Sequence, residues 1–270
     1  MERPAWAPPG IDLSMPSVSR IYDFYLGGSH NFEVDREAAR RAMEFLPGLP
    51  KVMQANRAFM RRAVRHALSE GVTQFLDIGS GIPTFGNVHE VAQGADPSAR
   101  VVYVDHDPVA VAHSQAVLAG NELATVVAAD LRTPKDILTA PELTGLLDLD
   151  RPVALLLVAV LHFIEDADDP QAAVATLRDA LAPGSLLIVT HAAYDGIPTD
   201  QETAGGAVDV YRQIKNPLIM RTRDEVARFF DGYEMVEPGL VKMAEWRPET
   251  PVAQEDPYAF SGFAGVGRTA

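Results

Sequence analysis

Five short apolar runs separated by helical stretches constrain this chain more than any other feature. They read "TQFLDIG", "ARVVYVD", "ATVVAAD", "RPVALLLVAVLHF" and "SLLIVTHAAY". Two of the segments between them share one grammar. In "DPVAVAHSQAVLAGN", Asp107 caps a helix, Pro108 fits its first turn and Gly120 closes it; "DDPQAAVATLRDALAPG" again opens with Asp and Pro and stops at Pro-Gly. Strands alternating with helices of about 10–15 residues call for right-handed crossovers and predict an α/β fold around a mostly parallel sheet. The run "VALLLVAVL" reads as a strand buried on both faces, far short of the roughly 20 residues that span a bilayer.

Outside this region the pattern changes. Residues 1–16 are Pro-rich and predict an extended arm. A helix is expected from Glu33 to Phe45, ended by "LPGLP". A second should run from about Val52 to Ser69, with Met53, Phe59, Met60, Ala63, Val64, Ala67 and Leu68 on one face and Gly71 as its left-handed cap. Near the end, Thr222 and Glu225 in "TRDEVARFF" form a capping box. "YEMVEPGLVKMAEW" and "YAFSGFAGVGRT" are expected as a final pair of strands.

Ligands of such sheets bind outside the carboxyl ends of the strands, so those residues carry the functional signal. The first strand ends "DIGSGIPTFG". Gly79 and Gly81, flanking Ser80, permit a tight turn and close approach of a ligand. A dinucleotide fingerprint would place its third glycine where Thr84 stands, and Asp77 would repel a pyrophosphate. A nicotinamide-dependent oxidoreductase is therefore disfavoured. S-adenosylmethionine, with an ammonium, a sulfonium and no phosphate, suits the loop better. Asp105 ends the second strand where ribose hydroxyls need an acceptor. Asp130 ends the third and can accept from an adenine amino group, while His106 and Leu131 can pack on the ring. Each residue also has a plain structural role open to it: G-x-G in an ordinary turn, Asp107 as a cap, Asp130 in the turn before "LRTP". The order of the three acidic strand ends behind one glycine loop favours the cofactor.

The fourth and fifth strands end at His162 and His191. Either can serve as a general base tuned near neutrality, or as a core histidine. No spacing typical of metal ligands occurs. With 37 acidic against 23 basic residues and a net charge of −14, a nucleic-acid surface is not expected. The absence of cysteine excludes disulfides and fits a cytoplasmic protein, and the first ten residues lack the apolar run of a signal peptide.

"PSVSRIYDFYLGGSHNFEVDRE", "ANRAFMRRAVRHALSEGVTQFLDIGSGIPTFGNVHEVAQ" and "RVVYVDHDPVAVAHSQAVL" closely resemble a family of SAM-dependent methyltransferases abundant in actinomycete bacteria and long catalogued as a domain of unknown function. "TRDEVARFFDGYEMVEPGLV" and "EWRP" extend the resemblance over nearly the whole chain from Pro16. It implies a class I methyltransferase fold, Rossmann-like, with a seven-stranded sheet whose last strand is antiparallel. A helical cap over residues 17–71 would precede the domain at 72–270, and a substrate-covering insertion would fall around 191–221. The resemblance puts the cofactor loop at Asp77 to Gly81, the ribose carboxylate at Asp105 and the adenine partner at Asp130. It leaves the acceptor open. We expect a small molecule, O- or N-methylated, in specialised metabolism; the alternative is a non-catalytic SAM- or SAH-binding regulator. Tyr194, Tyr211 and Met220 suggest an apolar acceptor or a packing face.

The stretch "VSRIYDFYLGGSHNFEVDRE" precedes the first strand and is expected to fold back across the open cofactor. Tyr22, Tyr25 or Phe32 would face the sulfonium, where a ring offers roughly 0.5–2 kcal/mol of cation–π attraction. Gly27 and Gly28 would let the backbone approach, Asn31 and Arg57 would engage the methionyl carboxylate, and Tyr22 joins the histidines as a catalytic candidate. Packing of these aromatics on the sheet is the competing expectation.

Overall fold

The computed structural model describes residues 12–84, 86–193, 201–212, 214, 217–249 and 262–270, with backbone alone for 201–204. Most of the expected arm, Tyr194 and the start of the last expected strand lie outside these residues.

Eight strands form one sheet: β1 (Gln74–Ile78), β2 (Arg100–Asp105), β3 (Ala124–Ala128), β4 (Ala154–Val158), β5 (Leu186–His191), β6 (Tyr233–Met235), β7 (Val241–Lys242) and β8 (Phe263–Thr269). The order is β3-β2-β1-β4-β5-β8-β6, with β7 also pairing β8. β1 to β5 are mutually parallel, Leu76 standing opposite both Val102 and Leu155. β8 runs antiparallel to β5 and β6. The sheet thus has seven strands along its path plus the two-residue β7. The single strand expected from Tyr233 to Trp246 is instead broken at Glu237-Pro238, a turn residue that cannot donate to a ladder.

Period-two alternation divides the strands between two cores. Leu76, Ile78, Leu155, Leu157, Leu187 and Val189 face one layer of helices; Phe75, Val101, Tyr103, Leu156, Ile188 and Val266 face the other. The first layer includes α6 (Pro134–Leu138), α7 (Pro141–Leu146), α8 (Pro170–Asp179) and α10 (Arg223–Ala227). Asp107 and Asp169 accept the amides of Val109 and Ala172 at 2.8 and 3.1 Å, as the Asp-Pro grammar implies, opening α5 (Pro108–Val117) and α8.

The N-terminal third is helical: α1 (Val18–Tyr25), α2 (Glu33–Phe45) and α3 (Leu49–Ser69), with Gly71 at a φ of +80° beyond it. α3 starts at Leu49 because Pro50 sits in its first turn. It buries Phe59, Met60, Ala63, Val64 and Ala67 against the second face of the sheet. Burial of an aliphatic or aromatic side chain of this size contributes about 1.5–3 kcal/mol, so α3 is integral to the domain. α1 and α2 instead form a third core with α9 (Gln201–Arg212) through Ile21, Tyr25, Ala39, Ala42, Val210 and Tyr211. Among the described residues, no helix is long and apolar enough to cross a membrane.

A buried carboxylate ties α1 to α2. Asp35 accepts from Arg20 Nε at 2.8 Å, from the Ser17 amide at 2.9 Å and from the Phe32 amide at 2.8 Å. Ser17 Oγ in turn donates to Asp107, the cap of α5, so the cluster bridges the helical cap and the sheet domain. Asp35→Ala would leave the buried Arg20 with only the more distant Asp107 carboxylate, 4.0 Å away. It is expected to lower the unfolding free energy by about 3–5 kcal/mol in urea titrations, the usual cost of breaking a buried pair. A loss below 1 kcal/mol would show that the cluster does not hold the cap.

Candidate functional site

The strand order reverses between β1 and β4, because β2 and β3 lie to one side and β5 to the other. This opens a crevice at the carboxyl ends of β1 and β4. A cavity of about 920 Å³, open solvent at its mouth included, occupies that place. It is lined by Asp77, Gly79, Ser80 and Gly81 after β1, Asp105 and His106 after β2, and Asp130 and Leu131 after β3. Ala159 and Val160 after β4 complete the strand ends, Val18, Ser19 and Tyr22 come from α1, and Asn56 and Arg57 come from α3.

The glycine loop follows from sterics. Gly79 and Gly81 have φ values of +75° and +67°, where side chains are strained. A Cβ on Gly79 would also lie 2.4 Å from Val160 Cγ2. The Gly79 and Ser80 amides donate to Val104 O at 2.8 and 3.1 Å. The Gly81 amide donates to Asp105 Oδ2 at 2.7 Å, and Asp105 Oδ1 accepts the Asp107 amide at 2.8 Å. Asp105 therefore shapes the loop from the neighbouring strand. Burial raises its pKa, an effect that the two amides offset in part. The buried Ser80 hydroxyl has no hydrogen-bond partner.

Asp77 sits deeper. Burial pushes its pKa up to about 7, against the pull of Arg57 and with a further push from Asp105. Arg57 Nη2 also donates to Gly86 O and Asn87 Oδ1, at 3.3 and 3.1 Å, fixing it beside the start of α4 (Val88–Ala95). Asp130 is gripped by its neighbour Arg132, whose Nε and Nη2 donate to it at 3.0 and 2.5 Å. Burial opposes ionisation there, but the guanidinium wins and the pKa falls.

Not all of the aromatic leader turns toward this cavity. Gly27 and Asn31 do not line it. Asn31 Nδ2 donates to Asp23 Oδ2 at 2.8 Å and to Gly28 O at 3.0 Å, and the His30 amide donates to Asp23 at 2.9 Å. A Cβ on Gly28 would overlap Asp23 Oδ1, so that glycine is required by this turn. Phe32 packs with Ile82, Val109 and Ala110. What faces the cavity is α1, through Val18, Ser19 and Tyr22.

A second cavity, of about 860 Å³ on the same measure, lies between the cap, α9 and the ends of β4 and β5. His162, His191, Tyr25, Tyr211, Met53 and Met220 are among its lining residues, while Val18, Tyr22, Asn56, Ala159 and Phe163 line both cavities. Ala159 has a φ of +59°, a conformation that costs of order 1–3 kcal/mol and clusters at functional sites. Its amide donates to Thr190 Oγ1 at 2.8 Å, which donates to Asn56 Oδ1 at 2.7 Å; Asn56 Nδ2 donates to the Tyr22 hydroxyl at 2.9 Å. Asn56, Ala159, Phe163 and Thr190 were not foreseen from sequence. The fourth strand was expected to run on to His162, but β4 ends at Val158, which puts Ala159 in the turn beyond it and His162 in a short helical turn.

Both histidines belong to the second cavity. His162 Nδ1 accepts the Ala192 amide at 3.1 Å. His191 donates from Nδ1 to Ala192 O at 2.7 Å, and its Nε2 accepts from Arg221 Nη1 at 3.0 Å. Burial lowers the pKa of His162 far below its ordinary value, helped by His191 and Arg221. Burial likewise brings His191 to about 4. Burial raises the Tyr22 pKa, so its hydroxyl stays protonated at neutral pH. Among the described residues no metal-binding cluster of His, Cys, Asp or Glu occurs.

Comparison with known proteins agrees with this geometry. A family model described as S-adenosyl methyltransferase matches residues 4–270. A crystal structure of a candidate methyltransferase from Thermobifida fusca YX is 41% identical, with a TM-score of 0.91 over 98% of this chain and 99% of the other. A DUF574 family protein from Streptomyces avermitilis MA-4680 is 39% identical, with a TM-score of 0.90 over 96% and 99%. No match was found among curated proteins. Because Asp105 holds the Gly81 amide and faces the cavity, Asp105→Ala should weaken S-adenosylhomocysteine binding at least tenfold in calorimetry, about 1.4 kcal/mol. Unchanged affinity would mean that the ribose is held elsewhere.

Proposed function

The chain belongs to the S-adenosyl methyltransferase family, with S-adenosyl-L-methionine as its cofactor, and from that premise we propose that it methylates a small-molecule acceptor seated in the second cavity. The observation that carries this reading is the meeting of the two cavities at Tyr22, Asn56, Ala159 and Phe163. A sensor needs a cofactor site alone; a transferase needs an acceptor space against it. The open second cavity therefore favours catalysis over the non-catalytic regulator.

The residues around the first cavity suit this cofactor. Its loop offers bare glycine backbone and an unpartnered Ser80 hydroxyl, and two buried carboxylates stand at the strand ends. Asp105 would take the ribose hydroxyls. Asp130 would accept from the adenine amino group, between Leu131 and His106. Asp77 and Arg57 would bind the ammonium and carboxylate of the amino-acid end, and Tyr22 would present its ring to the sulfonium. Bound there, the cofactor supplies a methyl group activated by positive sulfur. The protein's part is to align the acceptor and exclude water, and alignment of this kind can supply roughly 7–11 kcal/mol of the barrier.

Asp77 makes binding pH-dependent. Its folded pKa near 7 exceeds the unfolded value, so the native chain holds an extra proton between about pH 4 and 7. Its contribution to stability is therefore fully present at low pH and is lost as pH rises through 7. A cationic ligand favours the carboxylate, so binding near pH 6 should release a proton and affinity should fall as pH drops below 7. Calorimetry in buffers of different ionisation enthalpy reads this directly; no proton release would remove Asp77 from the site.

Turnover tests the function itself. With methyl-labelled S-adenosylmethionine and a small-molecule extract, label should pass to an extract component and S-adenosylhomocysteine should accumulate. Tight binding of S-adenosylhomocysteine without any labelled product would support the regulator instead.

A further inference from the structure

Resting on that reading, we propose that the second cavity takes an acceptor whose methylated oxygen arrives as its own anion, an acidic phenol or enol on an apolar frame, and that none of the described residues supplies it a general base. Among the described residues no aspartate, glutamate, lysine or arginine lines the cavity. The remaining groups able to take a proton are two imidazoles and three phenols, and each is already engaged.

The His162 Nδ1 lone pair is spent on the Ala192 amide, so the neutral ring carries its proton on Nε2 and can only donate from there. The His191 Nε2 lone pair is spent on Arg221, and its Nδ1 proton on Ala192 O. The Tyr211 hydroxyl donates to Tyr25, and Tyr25 donates to Ala39 O. Tyr22 donates to Met53 O while accepting from Asn56. Burial pushes the Tyr211 pKa to about 12, so these phenols do not ionise at neutral pH.

What the cavity does offer is positive polarity. The Arg221 guanidinium, 3% exposed, stands directly behind His191 and pairs with the solvent-exposed Asp166. It also discourages protonation of both histidines, against the weaker opposite influence of Glu225 and Asp166 on His191. The His162 Nε2 proton, with the ring of His191 packed edge-on at 5.4 Å and the Arg221 cation behind that second ring, complements an anionic oxygen. It would repel an aliphatic ammonium, for which no carboxylate is at hand. Tyr22, Phe163, Met53 and Met220 supply flat and polarizable walls for an aromatic frame.

The step then balances without proton transfer inside the site. The oxygen anion uses a lone pair to form the O–CH3 bond as the S–CH3 bond breaks, and that bond's electron pair stays on sulfur. The negative oxygen and the positive sulfur both become neutral, and the hydroxyl proton has already been lost to solvent.

The test uses the full chain and hydroxycoumarins whose hydroxyl acidities straddle neutrality. They should bind the protein loaded with S-adenosylhomocysteine, read by their fluorescence, and should gain label from methyl-labelled S-adenosylmethionine. The pH at which kcat/KM levels off should move with each coumarin's own acidity. His162→Gln, a change at a positioning residue, should raise KM or lower kcat without moving that inflection. An inflection fixed across the series would reveal an enzyme base and overturn the proposal. So would coumarins that fail to bind or never gain label, or methylation of an aliphatic amine in their place. Failure of S-adenosylhomocysteine itself to bind would instead bring down the function proposed above, and this inference with it.

Discussion

A parallel sheet whose strand order reverses leaves an open crevice at the carboxyl ends of its central strands, and the rest of this molecule is organised around closing it. A short helix, α1, walls part of it through Val18, Ser19 and Tyr22 and is held in place by buried polar groups. Asp35 gathers Arg20, Ser17 and Phe32, and Ser17 reaches Asp107 on the sheet domain. Asp107 also caps α5 beside the strand end that carries Asp105. Position of the cap and shape of the cofactor loop are thus set by adjacent carboxylates. Loss of either would be felt by the other.

The closure also divides the crevice. On one side of Tyr22 the surfaces are glycine backbone, carboxylates and a bare hydroxyl; on the other they are tyrosines, methionines and histidines with engaged nitrogens. This division gives the two cavities different chemistry, one lined by glycine backbone and carboxylates and the other mostly apolar. The strained backbone of Ala159, which lines both spaces, lies at the boundary. Fold and family carry the chemistry as far as the methyl donor. The lining of the second cavity carries the account of the acceptor.

Much of this was legible in the sequence because the relevant physics is local. Apolar runs alternating with helical stretches, and the Asp-Pro openings of α5 and α8, revealed the sheet, and the strand ends at Asp77, Asp105 and Asp130 then pointed to the crevice. Legibility stopped where a residue's role depends on a distant partner. Gly27, Gly28 and Asn31 looked like a ligand-facing turn, yet Asp23 organises them for its own sake. His162 and His191 looked like bases at two strand ends. Their lone pairs are spent on Ala192 and on Arg221, and Arg221 lies 30 residues from His191 in sequence. The short helices α4, α6 and α7 escaped for a simpler reason: at eight residues or fewer they present too little period to read.

The central claim is that donor and acceptor meet where the two cavities join. A crystal structure with S-adenosylhomocysteine tests it most directly. The account predicts adenine between His106 and Leu131, the ribose on Asp105, and sulfur at the junction formed by Tyr22, Ala159 and Phe163, facing the second cavity. Sulfur buried away from that junction, or the ligand lodged among the tyrosines of the second cavity, would contradict it.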